Sequence, residues 1–216
     1  MKPFAELPLA AAARVRGVLA DIDDTVTSDG KLPAASLAAM ERLQAAGVWM
    51  MAITGRPAGW CDHIARVWPV DAVVGENGAF YFHHDAAARK LRQRFIVNAA
   101  TRASNRRRIA AIAEQILREV PGAALASDQN YREADLAIDF CEDVPPLPRA
   151  DVKRIVTLME TAGLTAKISS IHVNGWFGGY DKLSTTRLLL DEVFDVDLAA
   201  ERERFVFVGD SPNDAP

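Results

Sequence analysis

Short apolar runs alternate with helical patterns at the start of this chain, and that alternation narrows its folds more than any other feature. Val18, Leu19 and Ala20 lead straight into Asp21. Residues 33–46 then show helical spacing. Leu37, Met40 and Leu43 fall on one face, and Gly47 is a natural stop. Residues 48–53 are continuously apolar, as expected of a strand covered on both faces. Pro57 opens a helix running to about Val67, and residues 71–74 make a third short strand. Strand, helix, strand, helix, strand predicts a parallel sheet with helices on both faces.

The pattern changes after Ala79. Residues 79–83 and 91–97 read as paired strands around a polar turn. Residues 104–120 read as a helix closed by Pro121 and Gly122. A strand over 135–140, a helix over 149–162 ending at Gly163 and a strand over 167–173 follow. The chain then returns to its first style, with a helix over 182–193 and an apolar strand over 205–208 that runs into Gly209 and Asp210. The expected fold class is α/β: a Rossmann-like, doubly wound parallel sheet core over 1–79 and 177–216, with an inserted α+β cap domain over 80–176. The strand over 205–208 is expected to be central and buried on both faces.

Charge and composition exclude several functions. The 216 residues carry 29 Asp and Glu against 25 Lys and Arg, a net charge of −4. A mildly acidic chain is not built to coat nucleic acid, whose binding rests on neutralising phosphates. No run approaches the roughly 20 apolar residues needed to span a bilayer. The N-terminal apolar stretch leads straight into a strand, so it reads as a short arm rather than a secretory leader. Two cysteines, Cys61 and Cys141, form no disulfide framework and suggest a reducing, cytoplasmic setting.

Four places carry chemistry, and three follow an expected parallel strand. They are Asp21-Ile22-Asp23-Asp24-Thr25, Thr54-Gly55-Arg56, Lys182 at the head of a helix, and Gly209-Asp210-Ser211-Pro212-Asn213-Asp214. Open α/β sheets bind ligands beyond the carboxyl ends of their strands. Acids at strand ends are often only turn residues, but four such places in this order make that reading a poor one. The set resembles the four motifs of the haloacid dehalogenase superfamily of phosphatases. Only 33 positions separate Asp21 from Thr54, while 128 separate Thr54 from Lys182, and the α+β insert lies in the longer gap. That placement resembles the type-II caps of subclass IIB, as does Glu76-Asn77-Gly78-Ala79. The subclass includes sucrose-phosphate, mannosyl-phosphoglycerate and trehalose-phosphate phosphatases, and also phosphomannomutases.

The resemblance implies an enzyme, a Mg²⁺-dependent phosphatase acting on a small-molecule phosphate monoester such as a sugar phosphate or phosphorylated sugar acid. It makes Asp21 the nucleophile that forms an aspartyl-phosphate and Asp23 the acid that protonates the leaving alcohol, then the base that activates water. It places Asp21, the Asp23 backbone carbonyl and Asp210 on the metal, with Asp214 helping directly or through water. Lys182 would neutralise Asp21 and the phosphoryl oxygens, and Thr54 would donate to the phosphoryl group. A cation is physically required. At about 4 Å and an effective dielectric near 20, each like-charged pair costs about 4 kcal/mol.

Gly55 and Arg56 are candidate substrate contacts, although for Arg56 a surface ion pair is an equal alternative. His172 and Asn174, two apart on the last strand of the insert, are candidates for hydrogen bonds to a sugar hydroxyl. A satisfied structural pair is the competing reading. Trp176 is a candidate for lining the cleft. A phosphomutase, or a binding module with an incomplete acidic loop, are the alternative functions. Superfamily members continue past the fourth motif, so the natural chain is expected to extend roughly 30 residues beyond Pro216, enough for a helix and a strand.

Overall fold

The computed structural model describes Glu6 and residues 8–210; Asp214 therefore lies outside the described residues. After a one-turn helix α1 (Leu9–Ala12), the chain alternates β1 (Gly17–Ala20), α2 (Ala34–Ala45), β2 (Trp49–Ile53), α3 (Ala58–Val67) and β3 (Ala72–Gly75). A 3-10 turn, Glu76–Gly78, leads into β4 (Phe80–Asp85) and β5 (Lys90–Phe95). Next come α4 (Ala99–Glu119), β6 (Ala124–Leu125), β7 (Asp135–Asp139), α5 (Arg149–Thr161), β8 (Thr165–Ile168) and β9 (His172–Trp176). The chain finishes with α6 (Lys182–Phe194), α7 (Leu198–Glu201) and β10 (Phe205–Val208).

Two sheets result. The first has the order β10-β1-β2-β3-β4-β5, with β10, β1, β2 and β3 parallel and β4 and β5 antiparallel. Successive residues of each strand point to opposite faces. Ala52, Val73, Phe80 and Phe82 pack on one side with Met40 of α2 and Cys61 and Ile64 of α3. Met51, Ile53, Val74 and Tyr81 pack on the other with Leu189 and Leu190 of α6. The expected doubly wound α/β core is therefore present, with helices covering both faces.

The second sheet is antiparallel, in the order β6-β7-β9-β8. Leu136, Ile138 and Val173 face α4 and α5, which supply Ile112, Ile116, Ile155 and Met159. The opposite face is polar. Register pairs Asp135 with Trp176, Ala137 with Asn174 and Asp139 with His172. All five residues of β7 and of β9 are nonetheless buried, and the loops of the first sheet cover this polar face.

Several sequence expectations change. Residues 80–95 form a hairpin hydrogen-bonded into the first sheet, not into the insert. An antiparallel hairpin beyond a parallel strand looks, in sequence, like the start of a new unit. The strand expected over 167–173 is the hairpin β8–β9, turning at residues 169–171. Among the described residues β10 pairs only with β1, and its residues are partly exposed rather than buried on both faces.

Candidate active site

Backbone pairing brings the motif residues together. Asp21 follows β1, and its N–H donates to Val208 O at 2.9 Å. Thr54 follows β2, and its N–H donates to Val74 O at 2.8 Å. Asp210 lies two residues past β10. β10, β1 and β2 are neighbours, so all three residues emerge at the carboxyl ends of adjacent strands, where an α/β sheet places its ligand. Lys182 is the first residue of α6. A cation there opposes the helix dipole, so helix stability does not explain it. Its Nζ instead lies 2.8 Å from Asp21 Oδ1, joining positions 161 residues apart.

A small cleft is lined by Asp21, Asp23, Gly55, Arg56, Lys182 and Asp210 from the first sheet's side. Asn77 and Arg132, with residues 169–172 and Asn174, complete its wall. Of the sequence-predicted residues, Asp21, Asp23, Gly55, Arg56, His172, Asn174, Lys182 and Asp210 thus share one cavity. Thr54 lies beneath it, fully buried, and its Oγ1 accepts from Arg56 N at 3.0 Å. Trp176 does not line the cleft. It is buried, stacks on Tyr180 and donates from Nε1 to Tyr180 O.

Arg56 lines the cleft as a largely buried ion pair rather than an exposed surface one. Its Nε and Nη2 form a forked contact with the Asp23 carboxylate at 2.7–3.0 Å. The guanidinium stacks 4.5 Å over Trp60, and Asp128 and Glu142 stand 3.5 and 3.9 Å away. These acids hold Arg56 above its ordinary value although burial opposes it.

His172 and Asn174 are both buried. His172 Nε2 lies 2.8 Å from Glu142 Oε2 without the alignment of a hydrogen bond. Burial and the nearby Arg132 lower the imidazole below its usual value, outweighing the attraction of Glu142. Asn174 Oδ1 is buried with no hydrogen-bond partner. A buried acceptor left unpaired costs about 1–3 kcal/mol, a cost that a ligand hydroxyl would remove.

Sequence reasoning missed the charges where the two sheets meet. The Glu76 carboxylate is completely buried. It accepts from Ala58 N at the start of α3, and from Glu133, Ala134 and Asp135 N on the insert, at 2.6–3.2 Å. Burial first, then the charge of Asp135, pushes this carboxyl up to about 8, while Arg132 pulls the other way. Arg132 is clamped by Asp128 and Asp135 and also donates to Gly55 O. One signal was present in the sequence. Asp135 and Asp139 alternate with apolar residues in a buried strand, and buried acids require partners.

The oxygen donors of the cleft suit a hard cation. Asp21 and Asp210 carboxylates and the Asp23 loop lie on one wall, and Mg²⁺ is held by few carboxylates with waters completing its shell. Among the described residues, no three His, Cys, Asp or Glu side chains converge as a ready-made metal cluster. Of the expected donor set, only the Asp21 and Asp210 carboxylates and the Asp23 carbonyl fall among the described residues, since Asp214 lies outside them.

Residues 18–106 match the family model of haloacid dehalogenase-like hydrolases. That segment, which carries Asp21 and Thr54, is similar to this family. No curated protein matches the chain significantly. Among solved structures it is similar to a Thermoplasma acidophilum protein (TM-score 0.69, 17% identity, 93% of this chain and 79% of that one). It is also similar to a subclass IIB sugar phosphatase (TM-score 0.62, 14% identity, 93% and 82%). A third is the sucrose-phosphatase of Synechocystis sp. PCC6803, solved with sucrose and phosphate (TM-score 0.60, 17% identity, 92% and 76%). The chain thus shares with these structures its fold, a doubly wound α/β core with an inserted α+β unit. No helix among the described residues is long and apolar enough to cross a membrane.

Proposed function

We propose that this chain is a Mg²⁺-dependent phosphatase that hydrolyses a small sugar phosphate, or a phosphorylated sugar acid, through an aspartyl-phosphate on Asp21. The contact that carries the reading is Lys182 Nζ against Asp21 Oδ1 at 2.8 Å, in a cleft shared with Asp23 and Asp210. Lys182 offsets the repulsion between the Asp21 carboxylate and the phosphoryl oxygens. Asp21 attacks phosphorus, and the bond to the leaving oxygen breaks. Asp23 gives that oxygen a proton, then takes one from the water that cleaves the acyl phosphate. Thr54 is the phosphoryl-binding residue of the second motif.

Asp21, Asp210, the Asp23 carbonyl and Asp214 would hold the cation, whose bound charge stabilises the charge of the transferring phosphoryl group. His172, Asn174, Gly55 and Arg56 would bound the leaving group, with Asn174 Oδ1 accepting from a hydroxyl. We place the cap at about residues 98–176, after the β4–β5 hairpin. The free thiols of Cys61 and Cys141 fit a cytoplasmic enzyme.

Phosphate release across a panel of phosphate monoesters, with Mg²⁺ and with EDTA, tests this reading. Metal-dependent turnover of sugar phosphates is expected, without a bisphosphate activator. A requirement for such an activator would instead make the enzyme a mutase. No release from any ester would leave only the fold.

A further inference from the structure

Arg132 occupies an unusual position. It belongs to the segment between β6 and β7, on the inserted unit, yet one of its bonds reaches the loop that follows β2. Its side chain is 1% exposed. Nε and Nη2 donate to the two Asp128 oxygens at 3.0 and 3.2 Å, and Nη1 donates to Asp135 at 2.9 Å. Nη1 also donates to Gly55 O at 3.0 Å. Two carboxylates already balance its charge, so the bond to Gly55 is not needed to neutralise it.

Gly55 is the middle residue of the turn Thr54–Arg56, and the rest of that turn is fixed from the core side. Thr54 N donates to Val74 O, Asn77 N donates to Thr54 O, and Glu76 N donates to Arg56 O. Arg56 N closes the turn on Thr54 Oγ1. The Gly55 carbonyl is a backbone group that this turn offers to the inserted unit, and Arg132 takes it. On the far side of the turn the Arg56 side chain holds the Asp23 carboxylate in a forked pair. Asp128 touches both arginines, at 3.0 Å from Arg132 and 3.5 Å from Arg56. A connected path therefore runs from the cap through Arg132 to Gly55 and Arg56, and on to Asp23.

We propose that Arg132 is a positioning residue through which the cap sets the Thr54–Arg56 turn, so that turnover depends on the cap even for esters too small to touch it. This rests on the phosphatase reading above. Lysine cannot replace the guanidinium here, because a single ammonium cannot satisfy two carboxylates and a carbonyl in a fixed fork.

The test compares Arg132→Lys with the wild type on methyl phosphate, the smallest ester, and on the best sugar phosphate from the panel. Thermal unfolding is measured beside kcat and KM. The expected result is a kcat at least about tenfold lower for both esters, with KM within about twofold. Misplacement of reacting groups lowers kcat in this way. A lower unfolding temperature with kcat unchanged in the folded protein would make Arg132 a structural bolt and overturn the proposal. So would a rise in KM confined to the sugar phosphate, which would make it a substrate contact. Should the lysine variant not fold, Asp128→Asn loosens the same clamp while keeping the arginine. It should lower kcat for both esters in the same sense, and an unchanged kcat for methyl phosphate would overturn the proposal. A wild type inactive on every ester fails the phosphatase reading itself, a result distinct from any difference between wild type and variant.

Discussion

Gly78→Ala separates the geometric account of this site from a merely compositional one. Gly78 closes a turn in which Glu76, Asn77 and Gly78 all have positive φ, at 44°, 55° and 104°. A Cβ on Gly78 would stand 2.2 Å from Asp181 O, 2.4 Å from Asp181 C and 3.0 Å from Lys182 N. Those are backbone atoms at the start of α6, so no side chain can rotate away to make room. Overpacking of this kind costs about 1–3 kcal/mol, and an L-residue held at such a φ about 1–3 more. The sum, about 2–6 kcal/mol, compares with about 5–15 kcal/mol for a whole domain. Each kcal/mol lowers Tm by about 2–4 °C at this size.

The same methyl group pushes on the residue whose Nζ meets Asp21 at 2.8 Å. A shift of about 1 Å there would lower kcat by up to about a hundredfold. Gly179→Ala is the control, since a Cβ there meets nothing within 4 Å. Urea unfolding and steady-state kinetics on both variants check the argument. It is refuted if Gly78→Ala unfolds within about 0.5 kcal/mol of wild type and turns over at a similar rate.

Asp21→Asn keeps the shape but removes the nucleophile, so activity should fall below about one hundredth of wild type while the far-UV circular dichroism stays unchanged. Asn174→Ala should raise KM for hydroxyl-bearing esters about tenfold, the worth of one hydrogen bond, and leave stability nearly unchanged because its buried oxygen has no partner to lose. His172 favours its neutral form in the fold. As pH falls from 7 towards 5 the unfolded chain, with an ordinary imidazole value near about 6.5, takes up the proton first and the fold loses stability. His172→Gln should flatten that slope in urea titrations at pH 7, 6 and 5, and an equal slope in both proteins would contradict the shift.

The core and its motif residues were legible because their logic is local. An apolar run ending in Asp21, and another ending in Thr54, declare a buried parallel strand with a polar tip. The sheet then needs only neighbouring strands to bring those tips together. Lys182 was legible as the head of a helix, although its meeting with Asp21 depends on α6 packing against the turn at Gly78, where Thr185 Oγ1 donates to Gly78 O. The hairpin Phe80–Phe95 was misplaced because its strands carry the same alternation whichever sheet they join. His172 and Asn174 kept their shared face because period two survives a change of strand boundaries. For Arg56 it was the partner that was hidden, since nothing local indicates that a residue after β2 will fork onto an acid 33 positions earlier.

The charged cluster between the sheets asks for a physical reason, because burying charge is a poor way to gain stability. Replacing such groups with well-packed apolar ones is often neutral or stabilising. Here the polar face of the cap sheet lies against the loops of the core, and an apolar version of that seam would tolerate small slides and rotations. The cluster does not. Glu76 satisfies three consecutive N–H groups of the cap and one of α3 only where all four converge on its two oxygens. Arg132 meets Asp128, Asp135 and Gly55 O only in that same placement. Asn77 Nδ2, donating to Asp135 Oδ2 at 3.3 Å, adds another constraint. Any displacement of the cap leaves buried donors or charges unpaired, at about 1–3 kcal/mol for each group and more for a charge. The seam thus exchanges some stability for a single register between cap and core. A cleft whose two walls belong to different sheets requires that register if the Thr54–Arg56 turn on one wall and Asn174 on the other are to bound the same small ligand.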